Sequence, residues 1–491
     1  MTFEIVFVLL SLLGMMAALI ADKMRPGMVL FSVVVLFLCV GILTPKEMLE
    51  GFSNKGMITV ALLFLVSEGI RQSGTLGQVI KKLLPQGKTT VFKAQLRILP
   101  SVAFISAFLN NTPVVVIFAP IIKHWAKSVK LPATKFLIPL SYVTILGGIC
   151  TLIGTSTNLV VHGMILEAGY EGFTMFELGK VGIFIAIAGI IYLFIFSKRL
   201  LPDARPDTAV PDEEVEEGEK LHRVEAVLGA RFPGINKKLS DFNFQRHYGA
   251  EVKEIKTRNG QRYVDHLEDV VLREGDTLVV MADDTFIPTW GESSVFVLLT
   301  NGNDPDTSGK KKRWLALILL VLMIVGATVG ELPATKEMFP DIKLDMFFFV
   351  CITTIIMAWT NIFPARKYTK YISWDILITI ACAFAISKAM VNSGVADCVA
   401  GFIIGLSDDY GPHVLLAILF VITNLFTELI TNNAAAALAF PLALSISAQL
   451  GVSPTPFFVV ICMAASASFS TPIGYQTNLI VQGIGNYKFT D

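Results

Sequence analysis

A thirteen-residue segment occurs twice in this chain, and what repeats in it is the polar residues. Thr151-Leu-Ile-Gly-Thr-Ser-Thr-Asn-Leu-Val-Val-His-Gly163 answers Thr471-Pro-Ile-Gly-Tyr-Gln-Thr-Asn-Leu-Ile-Val-Gln-Gly483, with eight of thirteen positions identical and no gap. Upstream, Ser106-Ala-Phe-Leu-Asn-Asn-Thr-Pro113 lies over Thr427-Glu-Leu-Ile-Thr-Asn-Asn-Ala434, the same register superposes Pro120 on Pro441, and Ser73-Gly74 answers Ser393-Gly394. Chance likeness between apolar segments shares Leu, Val and Ala. These segments share Thr, Asn, Gly and Pro, so the chain is two related halves.

The halves are built for lipid. Apolar runs long enough to cross roughly 30 Å of hydrocarbon lie near 3–21, 28–44, 57–72, 136–163, 181–198, 314–330, 345–363, 373–390 and 456–484. Two more, about 95–128 and 414–449, are apolar but broken by Pro, Asn and Gly. Mean hydropathy is +0.64 and 16% of the 491 residues are charged, against about a quarter in soluble chains. Lys+Arg and Asp+Glu balance at 40 each, which argues against a nucleic-acid partner. Six cysteines stand singly in apolar stretches with no C-x-x-C pair, so neither zinc nor a disulfide framework is indicated. The first run, Phe3 to Ala21, lacks the basic start and cleavage site of a signal peptide and reads as a retained membrane helix.

The segment between the halves is different in kind. The predicted organisation is a first membrane repeat over 1–200, an acidic linker over 201–220 containing Asp212-Glu213-Glu214-Val215-Glu216-Glu217, a small soluble α/β domain over 221–288, a linker over 289–313 and a second membrane repeat over 314–491. The first half continues into a helix at 181–198 for which the second shows no counterpart before Asp491, so either the chain is truncated or a last helix is dispensed with.

Positive charge sets the orientation. With the N-terminus outside, the inside loops hold Lys23 and Arg25, then Lys81, Lys82, Lys88, Lys93 and Arg97, then Lys198 and Arg199, then Arg366, Lys367 and Lys370. The outside stretch 164–180 has one Lys against three Glu, and 391–412 has no Lys or Arg. These loops agree only if each half crosses an odd number of times and the broken stretches are re-entrant hairpins. Duplicated halves with odd crossings lie antiparallel, the inverted-repeat plan of secondary transporters. The expected fold is an all-α polytopic membrane protein of two inverted repeats, each with a re-entrant hairpin and a broken helix.

An unpaired backbone group in lipid costs several kcal/mol, so helices break only where protein or a watery cavity satisfies the freed groups. Asn110-Asn111-Thr112-Pro113 and Thr431-Asn432-Asn433 mark the two hairpin tips; Gly154-Thr155-Ser156-Thr157-Asn158 and Gly474-Tyr475-Gln476-Thr477-Asn478 mark two unwound segments. Related by one pseudo-two-fold, the four breaks should meet near the midplane. Asn and Thr side chains and free N–H groups at half-helix ends donate to an oxyanion, while their oxygens suit a hard cation such as sodium. No Arg or Lys falls in the four motifs, leaving charge compensation to dipoles and co-transported cations. Glu68 and Lys388 take equivalent repeat positions and Glu428 precedes the second tip; each reads equally as a functional charge or a structural pair. His124 and His162 read as interfacial or capping residues.

At these residues the chain resembles the divalent anion/sodium symporter family, over essentially both membrane halves. That family carries Ser-Asn-Thr at each hairpin tip, and Asn110-Asn111-Thr112 and Thr431-Asn432-Asn433 keep the central Asn. The resemblance implies sodium ligands at Ser106, Asn110, Asn111 and Gly154 in one half and Thr427, Thr431, Asn432 and Gly474 in the other. It implies anion contacts from Thr112 and Asn433, with Asn111 and Asn432 bridging sodium and anion. Dicarboxylate carriers of the family often place consecutive prolines before the Asn of the unwound segment. Ser156-Thr157-Asn158 and Gln476-Thr477-Asn478 stand there instead, closer to the sulfate-type branch. The insert resembles a TrkA-C (RCK-C) domain through Gly234-Ile-Asn-Lys-Lys-Leu239, Leu239-Ser-Asp-Phe-Asn-Phe244, Tyr248-Gly249 and Arg273-Glu-Gly-Asp-Thr-Leu278. The residues themselves read there as short alternating strands such as Thr277-Leu-Val-Val-Met281, with a turn at Glu274-Gly-Asp276.

The expectation is therefore sodium-coupled symport of a divalent oxyanion, sulfate first, with dicarboxylate cargo or proton coupling as the alternative. The resemblance further implies a homodimer and a soluble domain that either binds a small-molecule regulator or serves only in dimerisation; the expected location is a bacterial inner membrane with that domain cytoplasmic. The chain lacks a Thr-Val-Gly-Tyr-Gly-like filter, which disfavours a potassium channel. No Walker A loop and no nucleophile–base constellation supports an enzyme.

Overall fold

The computed structural model describes residues 2–21, 23–203, 222–229, 231–257, 261–283, 286–290, 295–300, 310–405, 411–472 and 474–488; the acidic run at 212–217 lies outside them. The first half is α1 (Phe3–Ala21), α2 (Pro26–Val40), α3 (Lys55–Gln72), α4 (Val91–Ser106), α5 (Asn111–Ser128), α6 (Thr134–Gly148), α7 (Ser156–Glu167) and α8 (Gly179–Leu200). The second is α9 (Lys310–Gly330), α10 (Met346–Trp359), α11 (Trp374–Asn392), α12 (Pro412–Leu429), α13 (Asn432–Leu450), α14 (Thr455–Ser466) and α15 (Gln476–Gly485). Each of α1–α7 has its repeat mate eight numbers later. Seven described helical segments are long and apolar enough to cross a membrane. On α8, Ile183, Phe184, Ile187, Ile191 and Ile195 stand exposed, an apolar surface suited to lipid.

Packing repeats with the sequence. Helix α2 packs on α11 as α10 packs on α3, α4 on α6 as α12 on α14, and α5 on α15 as α13 on α7. Contacts that exchange in this way are those of a pseudo-two-fold. The charges at its rim obey it with inverted sign. Lys55 Nζ pairs with Asp345 Oδ2, and at the equivalent positions of the other half Asp375 sits beside Arg25 and accepts from the Gly27 N–H.

The apolar runs near 136–163 and 456–484 are each two helices, interrupted at 149–155 and between Ser466 and Gln476; this corrects the expected unwound segments, since Ser156-Thr157-Asn158 and Gln476-Thr477-Asn478 form first helical turns. In both interruptions the last residue is fully extended: Thr155 at φ −139°, ψ 146° and Tyr475 at φ −138°, ψ 132°. Glycine is required where the interruption folds back. A Cβ on Gly154 would stand 2.4 Å from the Gly148 carbonyl oxygen.

The small α/β domain carries an antiparallel sheet, β3-β2-β4-β1-β5, of β1 (His222–Leu228), β2 (Glu251–Lys256), β3 (Arg262–Tyr263), β4 (Thr277–Ala282) and β5 (Phe296–Thr300). Two boundaries need correction. Strand β5 pairs with β1 inside the stretch assigned to the 289–313 linker, and α9 begins at Lys310 rather than 314. The sheet has two faces, set by the period of two along a strand. Val224, Ala226 and Leu228 of β1 enter the domain's own core with Phe232, Phe242 and Tyr248. Val227, between them, joins the core of the helical body. On that outer face Lys123 Nζ of α5 lies 3.1 Å from both carboxylate oxygens of Glu225. Thr277 Oγ1 meets α15 where a Cβ on Gly483 would stand 2.4 Å away.

Candidate functional site

Four helices begin at one place. The first tip closes between α4 and α5, the second between α12 and α13, and α7 and α15 start where the two interruptions end. At the first tip Ser106 Oγ is 2.8 Å from Asn111 Oδ1 and 2.9 Å from the Thr144 carbonyl oxygen. At the second, Thr427 Oγ1 is 2.7 Å from Asn432 Oδ1 and 2.6 Å from the Ala465 carbonyl oxygen. The interruptions are tied in the same duplicate manner. Asn158 Nδ2 donates to the carbonyls of Thr151 at 2.8 Å and Gly148 at 3.4 Å. Asn478 Nδ2 donates to Thr471 at 3.5 Å and Ser468 at 2.9 Å.

The halves then cross. Thr112 Oγ1 donates to Gln476 Oε1 at 3.3 Å, and at the equivalent place Ser156 Oγ donates to Asn433 Oδ1 at 3.3 Å, with Thr157 Oγ1 3.4 Å from the same oxygen. Ser141 Oγ of α6 lies 2.8 Å from Thr477 Oγ1 and 2.7 Å from Asn478 Oδ1. Asn111, Thr155, Thr157, Asn158, Asn433, Thr477 and Asn478 are buried, Asn110, Thr112, Ser156, Thr431 and Asn432 are half-buried, and Gln476 is exposed. Thr431 caps α13, accepting from Ala434 N at 3.4 Å. The Asn110 side chain makes no cap bond and lines a crevice with Ser67, Leu109 and Ser156.

Tyr475 stands at the centre, a residue that the sequence places in an unwound segment without marking it for a role. Its hydroxyl accepts from Asn111 Nδ2 at 2.6 Å and lies 3.2 Å from Thr155 Oγ1; Asn432 stands near the same phenol. The asparagines of both tips thus neighbour one hydroxyl. Glu428 holds the second interruption from the side, accepting from Ser470 N at 3.0 Å, Thr471 N at 3.0 Å and Thr471 Oγ1 at 2.8 Å. In the first half the equivalent position is Ala107, whose backbone carbonyl accepts from Thr151 Oγ1.

The electrostatics favour ions of both signs. The N-termini of α5, α7, α13 and α15 direct their positive dipole ends here, as an anion requires. The C-terminal ends of α4, α6, α12 and α14 bring carbonyl oxygens. Asn158 Oδ1, Ser466 Oγ and Ser468 Oγ are buried with no hydrogen-bond partner among the described residues. Such oxygens are the hard donors that sodium takes, so the residues present fit a small cation. Glu68, by contrast, is a local pair: Arg71 contacts it at 2.8 and 2.6 Å and Gln72 at 2.6 Å. Lys388 is exposed, with Glu47 and Glu167 as its acidic neighbours. His124 is exposed and the His162 ring packs on Gly172.

Comparison with known proteins agrees with a transport machine. An uncharacterized transporter of Synechocystis sp. is 29% identical, over 94% of this chain and 89% of its own. A putative sulfur deprivation response regulator of Chlamydomonas reinhardtii is 28% identical, over 94% and 93%. The sodium/sulfate cotransporter 2 of the same alga is 30% identical over 54% of this chain and 30% of its own length. The sequence profile of the CitMHS family, described as citrate transporter, matches residues 16–445 and 338–491. This chain, with its duplicated helical halves and transporter relatives, belongs to that family.

Proposed function

We propose that the protein is a secondary active transporter that moves a divalent oxyanion, sulfate, together with sodium. The observation that carries this reading is the doubled constellation around the two tips, with four helix N-termini for an anion and unpartnered hard oxygens for cations. Thr112, Ser156 and Gln476 line the accessible side and are assigned to the anion, with the buried Asn433, Thr155, Thr157, Asn158, Thr477 and Asn478 behind them and Asn111 and Asn432 bridging anion and sodium. Ser106, Asn110, Asn111 and Gly154 are assigned to one sodium, Thr427, Thr431, Asn432 and Gly474 to the other. The relative named as a sodium/sulfate cotransporter supports this cargo and coupling.

In this reading α4–α5 and α12–α13 are re-entrant hairpins of inverted repeats, and alternating access displaces them against the remaining helices. The N-terminus lies outside a bacterial inner membrane and the soluble domain inside, as a TrkA-C-like module taking a small regulatory ligand in a homodimer. Labelled sulfate uptake into proteoliposomes tests the reading. Uptake should require a sodium gradient and fall to background in Asn111→Ala and in Asn432→Ala. Uptake indifferent to sodium would refute the coupling. The family's description as citrate transporter favours a second reading, carboxylate cargo, and competition of labelled sulfate by thiosulfate, molybdate, succinate and citrate separates the two.

A further inference from the structure

The duplicated site has one large departure from its own symmetry: Thr155 of the first half is answered by Tyr475. The two residues have nearly the same extended backbone, each stands at the N-cap position of the helix that follows, and each is buried. The difference is all side chain. Because the Tyr475 hydroxyl accepts from Asn111 of the first tip and lies near Asn432 of the second, the side chain stands between the two tips. That space is where an extended dianion would have to lie to place one charged end on each tip.

The hydrogen-bonding side chains left for cargo come as two close pairs, Thr112 with Gln476 and Ser156 with Asn433. A tetrahedral oxyanion carries all its oxygens around one atom and can meet such a pair from one side. A linear dicarboxylate cannot bring both ends there together.

Resting on the oxyanion reading above, we infer that Tyr475 is the size-selecting residue of the site, admitting compact dianions and refusing extended ones. The ring does the excluding and the hydroxyl fixes the tip spacing. These two roles come apart in two variants. Tyr475→Thr makes the halves alike and opens the space, so succinate uptake relative to sulfate should rise at least tenfold. Tyr475→Phe keeps the ring and removes one hydrogen-bonding group. It should raise the half-saturating sulfate concentration about tenfold, the equivalent of about 1.4 kcal/mol, while the succinate-to-sulfate ratio stays within about twofold.

Uptake into proteoliposomes and ligand-induced thermal stabilisation of the purified full chain, each with sulfate and with succinate, read the same ratio. A folded Tyr475→Thr variant with an unchanged ratio overturns the proposal. So does a Tyr475→Phe variant that loses size discrimination, which keeps the test decisive if the threonine variant does not fold. Failure of the unaltered protein to bind or move either dianion would instead overturn the functional reading itself.

Discussion

Glu428 shows how one side chain can shape a backbone break. Its two oxygens accept three donors from Ser470 and Thr471, where the first half makes do with a main-chain carbonyl. In Glu428→Gln one acceptor oxygen becomes an NH2 group facing N–H donors. Lost hydrogen bonds to a charged group contribute about 1.5–3 kcal/mol, so uptake should drop at least tenfold with the protein still folded. The half-saturating sodium concentration should rise; an unchanged value would assign Glu428 a purely structural part. Tyr475 illustrates why residues of this kind escape a reading of the chain. Aromatic rings in apolar segments ordinarily pack, and the bond that gives this one its place spans 364 positions. The only sign in the sequence is the repeat itself, where a tyrosine answers a threonine.

At the scale of elements, the breaks are legible in the sequence and some boundaries are not. Gly, Thr and Asn inside apolar runs have few uses in lipid, so a break at each copy of the motif stands out from the residues alone; its bounds do not, because Ser156-Thr157-Asn158 and Gln476-Thr477-Asn478, read as unwound, are helical. Strand β5 does not stand out either, because Phe296-Val-Leu-Leu-Thr300 is five residues long and gains its partner, β1, some seventy positions away. The tightness of the folded-back segments is testable. Gly154→Ala drives a methyl into the Gly148 backbone, whereas a Cβ on Gly14 of α1 meets nothing within 4 Å. Overpacking costs about 1–3 kcal/mol. Gly154→Ala should therefore melt earlier in detergent and transport poorly, and Gly14→Ala should match the unaltered protein; equal melting of the two would show that the interruption tolerates a side chain.

For the whole molecule, the decisive contact is the five-stranded sheet seated on α5 and α15, the elements that carry one tip and one break. Arg231 extends it to the Ile372 carbonyl ahead of α11 at 3.1 Å. Burial alone would push the Glu225 carboxyl up, but Lys123, Lys256 and Arg223 beside it hold it below the ordinary glutamate range. A depressed carboxyl contributes stability that is present above its unfolded value and lost as pH falls through its folded one. Docking should thus hold at neutral pH and loosen in acid, read as faster hydrogen exchange in β1. Removing one partner of a buried pair costs about 3–5 kcal/mol; with Glu225 14% and Lys123 24% exposed, the lower end applies. Glu225→Gln should loosen β1 at neutral pH and abolish the acid response, and exchange that stays slow and pH-independent in the unaltered protein would remove this ion pair from the docking account.

The sign-inverted rim pairs carry a consequence for the ancestry of the chain. A two-fold that brings Arg25 to Asp375 and Lys55 to Asp345 would, in a self-pairing of the first half, bring Arg25 to Lys55. A self-pairing of the second would set Asp345 against Asp375. Each half repels its own copy and attracts its sibling, so a duplication that began between equals has become a marriage neither partner can leave.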